Sequence, residues 1–135
     1  TRIPSSAASD VYKRQHPYFS EIYDLKVSSH LLIERDGSVV QFVPFNKKAW
    51  HAGVSSFKGR ENCNEFSIGI ELEGTDENTY TEDQYHALID ITKELMLVFP
   101  DIKKENIVGH SDIAPGRKTD PGKAFDWHYY LSNLV

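Results

Sequence analysis

The sequence predicts an α/β domain, a mixed central β-sheet flanked by helices. Three observations carry that expectation. SHLLIERDGSVVQFVP (29–44) is two apolar runs around an Asp-Gly pair, FSIGIELEG (66–74) alternates strictly, and a run of helical period from Tyr85 ends at Pro100.

The opening fifteen residues, TRIPSSAASDVYKRQ, have no apolar period and are read as disordered or foreign to the domain, which is expected to span 16–135 as a single unit. Asp36-Gly37 between the two apolar runs supplies the positive φ angles of a tight hairpin, so 29–44 is expected to be an antiparallel pair. Residues 45–65, with AWHAG at their centre and KGREN after it, read as a long loop. In the alternating stretch, Phe66, Ile68, Ile70 and Leu72 form a core face. Ser67, Gly69, Glu71 and Glu73 form the other, where Gly69 is expected to leave room for a group beside the Glu71 carboxylate.

Thr81 to Gln84 matches the T-x-x-Q capping box, and Tyr85, Leu88, Ile89, Met96 and Phe99 recur at helical spacing, predicting a helix from about 82 to 98. ENIVGH (105–110) is a short β-prone run that delivers His110 at its end. GHSDIAPGRKTDPG (109–122) is too rich in glycine and proline for helix or strand, and FDWHYYLSNL (125–134) predicts a terminal helix.

A chain of 135 residues, 39% hydrophobic and 12% aromatic, is long enough to bury a core without staples. Its net charge of −5 argues against a nucleic-acid partner, which calls for a basic face. With one cysteine, Cys63, no intrachain disulfide can form, and a small buried thiol is the reading preferred over a nucleophile. The sequence contains neither an apolar run near membrane-spanning length nor a signal-peptide core, so a cytoplasmic protein without a membrane partner is expected.

Several residues have side chains suited to chemistry. His110 and Asp120 are both ordinary zinc ligands; alternatively, they are a hydrogen-bonded histidine and the cap of a turn. Glu71 on an open strand face reads either as a desolvated general base or as a solvated glutamate. Lys118 is either an oxyanion partner or an idle loop lysine. Trp50, next to His51, either walls a ligand groove or plugs its loop onto the core. Arg60 and Arg117 are candidates for carboxylate recognition, or ordinary surface cations.

Taken in one register from about His16 nearly to the C-terminus, VSSHLLIERDG, VQFVPFNKKAWHAGVSSFKGREN, FSIGIELEGTD and GHSDIAPGRKTDPG followed by AFDW closely resemble the AmpD-type N-acetylmuramoyl-L-alanine amidases. These belong to a wider group with the peptidoglycan recognition proteins and the T7-type lysozyme. The resemblance implies their fold, a zinc ion held by two histidines and an aspartate, and hydrolysis of the amide between muramic acid and L-alanine. The second histidine falls on His110, the aspartate on Asp120, the catalytic glutamate on Glu71 and the catalytic lysine on Lys118.

One departure stands out. In the family the first histidine ligand sits on an early strand upstream of HPYFSEIYDLKVSSH, and residues 1–15 do not match it, so that strand and ligand are expected to be missing. His30 corresponds to a histidine that the family does not use as a ligand, and neither His16 nor His30 is expected to substitute. The resemblance favours a monomeric enzyme acting on anhydro-muropeptides in peptidoglycan recycling. Two rivals stay open: a wall-lytic amidase of the same group, and a muropeptide-binding domain without catalysis.

Overall fold

The structure, a computed structural model, describes residues 29–75 and 77–134. The segment 1–15, His16 and the expected missing strand lie outside these. The described chain divides into two compact units, one of residues 29–32 and 39–71, the other of 33–38 and 72–134.

The first unit carries the sheet. Strands β1 (Leu31–Ile33), β2 (Val39–Gln41) and β5 (Ile70–Leu72) are ordered β2-β1-β5, with Ile33 and Leu72 as the points where the chain passes into the second unit. Leu31, Leu32 and Ile33 are all buried, as expected of a middle strand covered on both faces. Burial of each such side chain is worth about 1.5–3 kcal/mol. Leu32, Val40 and Phe42 form one apolar cluster, with Val43 packed on it.

The bond from Phe42 N–H to His30 O at 2.9 Å, with that from Glu34 N–H to Ser38 O at 2.8 Å, makes β1 and β2 antiparallel. Leu31 N–H to Gly69 O and Glu73 N–H to Ile33 O have the offset of a parallel pair, so β5 runs with β1 and the sheet is mixed, as expected. The hairpin turn differs in detail from the expectation. Only Gly37 takes positive φ (87°), and Gly37 N–H closes on Glu34 O at 2.9 Å, giving a three-residue loop.

Two further expectations for this unit are corrected. The loop 45–65 contains a second hairpin, β3 (Ser56–Phe57) with β4 (Arg60–Glu61), whose turn residues Lys58 and Gly59 have φ of 51° and 81°. Two successive positive φ angles are what a tight two-residue turn demands, and Lys58 adopts one without being Asn, Asp or Gly. The strand expected over 66–74 forms only at 70–72, and its apolar residues Phe66, Ile68, Ile70 and Leu72 are half-buried rather than core.

The second unit is organised by α1 (Glu82–Val98), whose capping box is formed as the sequence predicts: Thr81 Oγ1 accepts from Gln84 N–H and Gln84 Oε1 accepts from Thr81 N–H. Its buried face is Gln84, Tyr85, Ala87, Leu88, Ile89, Ile91, Thr92 and Leu95. Met96 is only half-buried and Phe99 is exposed, because the helix ends at Val98 and its last turn carries the stripe away from the core.

Gln84 does more than cap. Its amide nitrogen donates to Ile33 O and Glu73 O, while Arg35 donates to its Oε1. The helix start is thereby fastened to the chain where it leaves β1 and β5.

Residues 107–109 carry no strand. A 3₁₀ turn at Lys104–Asn106 leads through extended backbone into a four-residue helix, α2 (His110–Ile113), within the segment expected to hold no helix. The terminal helix α3 (Trp127–Ser132) is shorter than 125–134 and is capped by Asp126, whose carboxylate accepts from Tyr129 N–H.

Candidate active site

The loop 109–122 brings together the two residues singled out as metal ligands. His110 is the first residue of α2, and Asp120 follows the turn made with Gly116 at φ 80°. Ser111 N–H donates to Asp120 O at 3.0 Å, so the two ends of the loop are tied by backbone. His110 Nδ1 then stands 3.3 Å from Asp120 Oδ2. That hydrogen bond, followed by the positive charges of His110 and Lys118, holds the Asp120 carboxyl below its ordinary range against the opposing effect of burial.

The donor spacing suits zinc. A tetrahedral ion with bonds of about 2.0–2.1 Å to nitrogen and oxygen sets neighbouring donors roughly 3.3 Å apart. The chemistry of the pair, one imidazole nitrogen and one carboxylate kept ionised, fits as well. Among the described residues no third His, Cys, Asp or Glu joins them.

An aromatic frame surrounds this loop. Tyr80 Oη donates to Pro121 O at 2.8 Å, one residue beyond Asp120. A methyl group built on Gly109 would lie 2.8 Å from Pro121 Cδ and 3.2 Å from Trp127 Cζ2, so only glycine fits immediately before His110. Phe125 is buried between Tyr80, Tyr85, Trp127 and Tyr130, with ring centroids 4.8–5.7 Å away.

Lys118 is exposed on the same loop, its N–H bonded to Ala114 O. Arg117 is exposed beside it. In the other unit Glu71 sits on β5 and is exposed, not buried against an open face as the sequence suggests. Trp50 is 48% exposed and therefore does not plug its loop; Lys48 Nζ lies 4.2 Å from its ring centroid and bonds Glu65 at 2.8 Å. The Arg60 guanidinium stacks 4.1 Å over Phe66, which holds its planar fork in a defined orientation.

The space at Gly69 is already taken. Its missing Cβ would meet the His51 ring, at 2.6 Å from Nδ1 and 2.7 Å from Cδ2, so the glycine admits a histidine of its own chain rather than an outside group beside Glu71. His51 is fixed in turn: Asn64 Oδ1 accepts from the N–H groups of His51 and Ala52, and the His51 ring meets Ser67 Oγ at 3.2 Å. His30 is buried with both ring nitrogens engaged. Its Nδ1 accepts from Gly69 N–H, which leaves the proton on Nε2 to be donated to Lys47 O at 2.7 Å. In this tautomer both ring nitrogens are committed to backbone groups. Cys63 is buried.

A sequence model of the N-acetylmuramoyl-L-alanine amidase family, Amidase_2, matches residues 1–123. The chain belongs to that family. It is 63% identical over 112 residues to the 1,6-anhydro-N-acetylmuramyl-L-alanine amidase AmpD of Escherichia coli, a match covering 83% of this chain and 61% of that protein. The chain thus spans about three fifths of the length of that relative. A crystal structure of a selenomethionine AmpD derivative superposes with a TM-score of 0.80 at 56% identity, covering 90% of this chain and 67% of the other. The amidase AmiD of E. coli, solved with anhydro-N-acetylmuramic acid-L-Ala-D-γ-Glu-L-Lys, superposes with a TM-score of 0.79 at 34% identity, covering 87% and 53%.

Four supporting residues carried little signal in the sequence: Tyr80 and Trp127 beside the 109–122 loop, Asn64 beneath His51, and Gln84. Tyr80 and Trp127 gave only generic aromatic signals, since a bond to Pro121 O joins positions 41 residues apart. Gln84 was legible as a cap, but not as the partner of two distant carbonyls.

Proposed function

We propose that this chain carries the chemistry of a zinc amidohydrolase that cleaves the amide between (1,6-anhydro-)N-acetylmuramic acid and L-alanine of muropeptides during peptidoglycan recycling. The observation that carries the reading is the convergence of His110 Nδ1 and Asp120 Oδ2 at 3.3 Å in a member of an amidase family. His110 and Asp120 are the residues that would hold zinc. When bound, the metal supplies Lewis-acid polarisation of the scissile carbonyl and lowers the pKa of water.

The remaining roles follow from the side chains. Glu71 takes a proton from the attacking water and returns it to the departing L-alanine nitrogen, so that the amine leaves neutral and the carboxylate is regenerated. Lys118 places an ammonium charge against the oxygen that becomes negative as the carbonyl carbon turns tetrahedral. Trp50 offers an exposed indole to the sugar, and Arg60 and Arg117 offer forked donors to the carboxylates of the peptide. The reading includes a monomer in the cytoplasm; among the described residues no helix is long and apolar enough to cross a membrane.

A second reading, a muropeptide-binding domain without catalysis, is favoured by one observation: among the described residues two metal donors gather, not three. Incubating the purified chain with zinc and the anhydro-muramyl tripeptide separates the two. Release of free tripeptide, abolished by chelator and restored by zinc, is the expected result. Calorimetric binding of the muropeptide with no cleavage at any zinc concentration overturns the enzymatic reading in favour of the binding one.

A further inference from the structure

On the metal reading above, we propose that Tyr80 is a positioning residue for the ligand pair, its hydroxyl setting the distance between Asp120 and His110 through the Pro121 carbonyl. Asp120 is exposed enough to move, with about half of its side chain open to solvent, and its own carboxylate bonds only fix it relative to His110. The end of the loop is tied to the body of the unit by the 2.8 Å bond from Tyr80 Oη to Pro121 O.

Tyr80 is itself well held. Its ring packs edge-on against buried Phe125 at 5.7 Å, and Phe125 packs against Trp127 at 4.8 Å. Trp127 and Pro121 together close over Gly109, the residue before His110. Each ligand therefore has a neighbour in the chain pressed against one aromatic frame, and the Ser111 N–H bond to Asp120 O joins the two sides. Tyr80 reaches the frame from outside the loop, between the exit of β5 and the cap of α1. It supplies a hydrogen bond from the frame to the Asp120 side of the loop. Loss of such an outer partner leaves both ligands present but lets their separation spread over several conformations, so part of the binding energy goes into regathering them.

Tyr80→Phe keeps the ring and deletes the bond. Two measurements on the full chain test the proposal, with Tyr130→Phe as control, because Tyr130 shares the aromatic cluster while its hydroxyl bonds Thr92 Oγ1. The first is hydrogen exchange of the metal-free protein, comparing the Ser111 amide with the Leu95 amide in α1. Tyr80→Phe is expected to raise that ratio about 3- to 10-fold, the worth of one hydrogen bond, and Tyr130→Phe to leave it unchanged. The second is zinc affinity by chelator competition, expected to fall about 10- to 100-fold in Tyr80→Phe and not in Tyr130→Phe.

An unchanged exchange ratio, or an unchanged zinc affinity, overturns the proposal. So does an equal loss in both variants, which would mark a general effect of the aromatic cluster. A wild-type chain that takes up no zinc refutes the metal reading of the previous subsection, and the exchange ratio in that same metal-free protein still upholds or overturns the hold of Tyr80 on the pair.

Discussion

Replacing Gly69 by alanine inserts one methyl group where the His51 ring already lies. Gly69 is not among the glycines with positive φ, so its backbone tolerates alanine and the effect is purely one of space. The new carbon would sit 2.6–2.7 Å from ring atoms, against about 3.5–4.0 Å for comfortable contact, an overlap of roughly 1 Å. Neither partner yields readily. Gly69 accepts from the His30 and Leu31 amides and donates to His30 Nδ1, while the His51 backbone is bonded to Asn64 and its ring meets Ser67.

Overpacking of this kind costs about 1–3 kcal/mol. In a chain that already carries His51→Ala the ring is gone, and Gly69→Ala should become neutral or stabilising by up to about 1 kcal/mol through the unfolded state. The double-mutant cycle, read from urea unfolding of the four proteins at neutral pH, should therefore give a coupling of about 1–4 kcal/mol. A Gly69→Ala penalty of the same size in both backgrounds would refute the assignment of that space to His51.

Three other outcomes are expected. Gln84→Leu should lower unfolding free energy by roughly 2–4 kcal/mol in urea melts, since the Thr81 amide loses its partner and Glu73 O loses its shortest bond. His30 is held neutral because burial lowers its pKa, outweighing the bond to Lys47 O. The unfolded chain then binds the extra proton first, so stability is full above the unfolded value of about 6.5 and declines as pH falls toward the folded one; the urea midpoint of His30→Asn should show a weaker dependence between pH 7.5 and 5. Under the proposed mechanism, Lys118→Ala should slow muropeptide cleavage about 100- to 1,000-fold while calorimetry still detects binding, and near-normal turnover would remove Lys118 from the oxyanion role.

What the sequence disclosed depended on how local the cause was. The helix at 82–98 was readable to the residue because Thr81 and Gln84 announce its start and Pro100 its end within one window. The Lys58-Gly59 hairpin was not, because Lys58 takes a left-handed conformation for which its side chain gives no signal. The purpose of Gly69 was misread for a similar reason, as the occupant of its space lies eighteen residues away in a loop. The side chains of His110 and Asp120 stand 3.3 Å apart; ligand chemistry and ten residues of spacing left a shared site and two unrelated polar groups both open, and only the family resemblance favoured the first. The bond from Ser111 to Asp120 O that brings them together is made by backbone, which a list of side chains does not reveal.

The sole thiol of the chain, at Cys63, is 1% exposed, and its N–H is bonded to Ser55 Oγ beneath the loop that carries His51. A bulky disulfide reagent can reach that sulfur only while the surrounding layer is displaced. The rate of colour development with such a reagent is thus an internal clock for opening of the strand-bearing unit, one that needs no engineered label and leaves the helical unit unprobed.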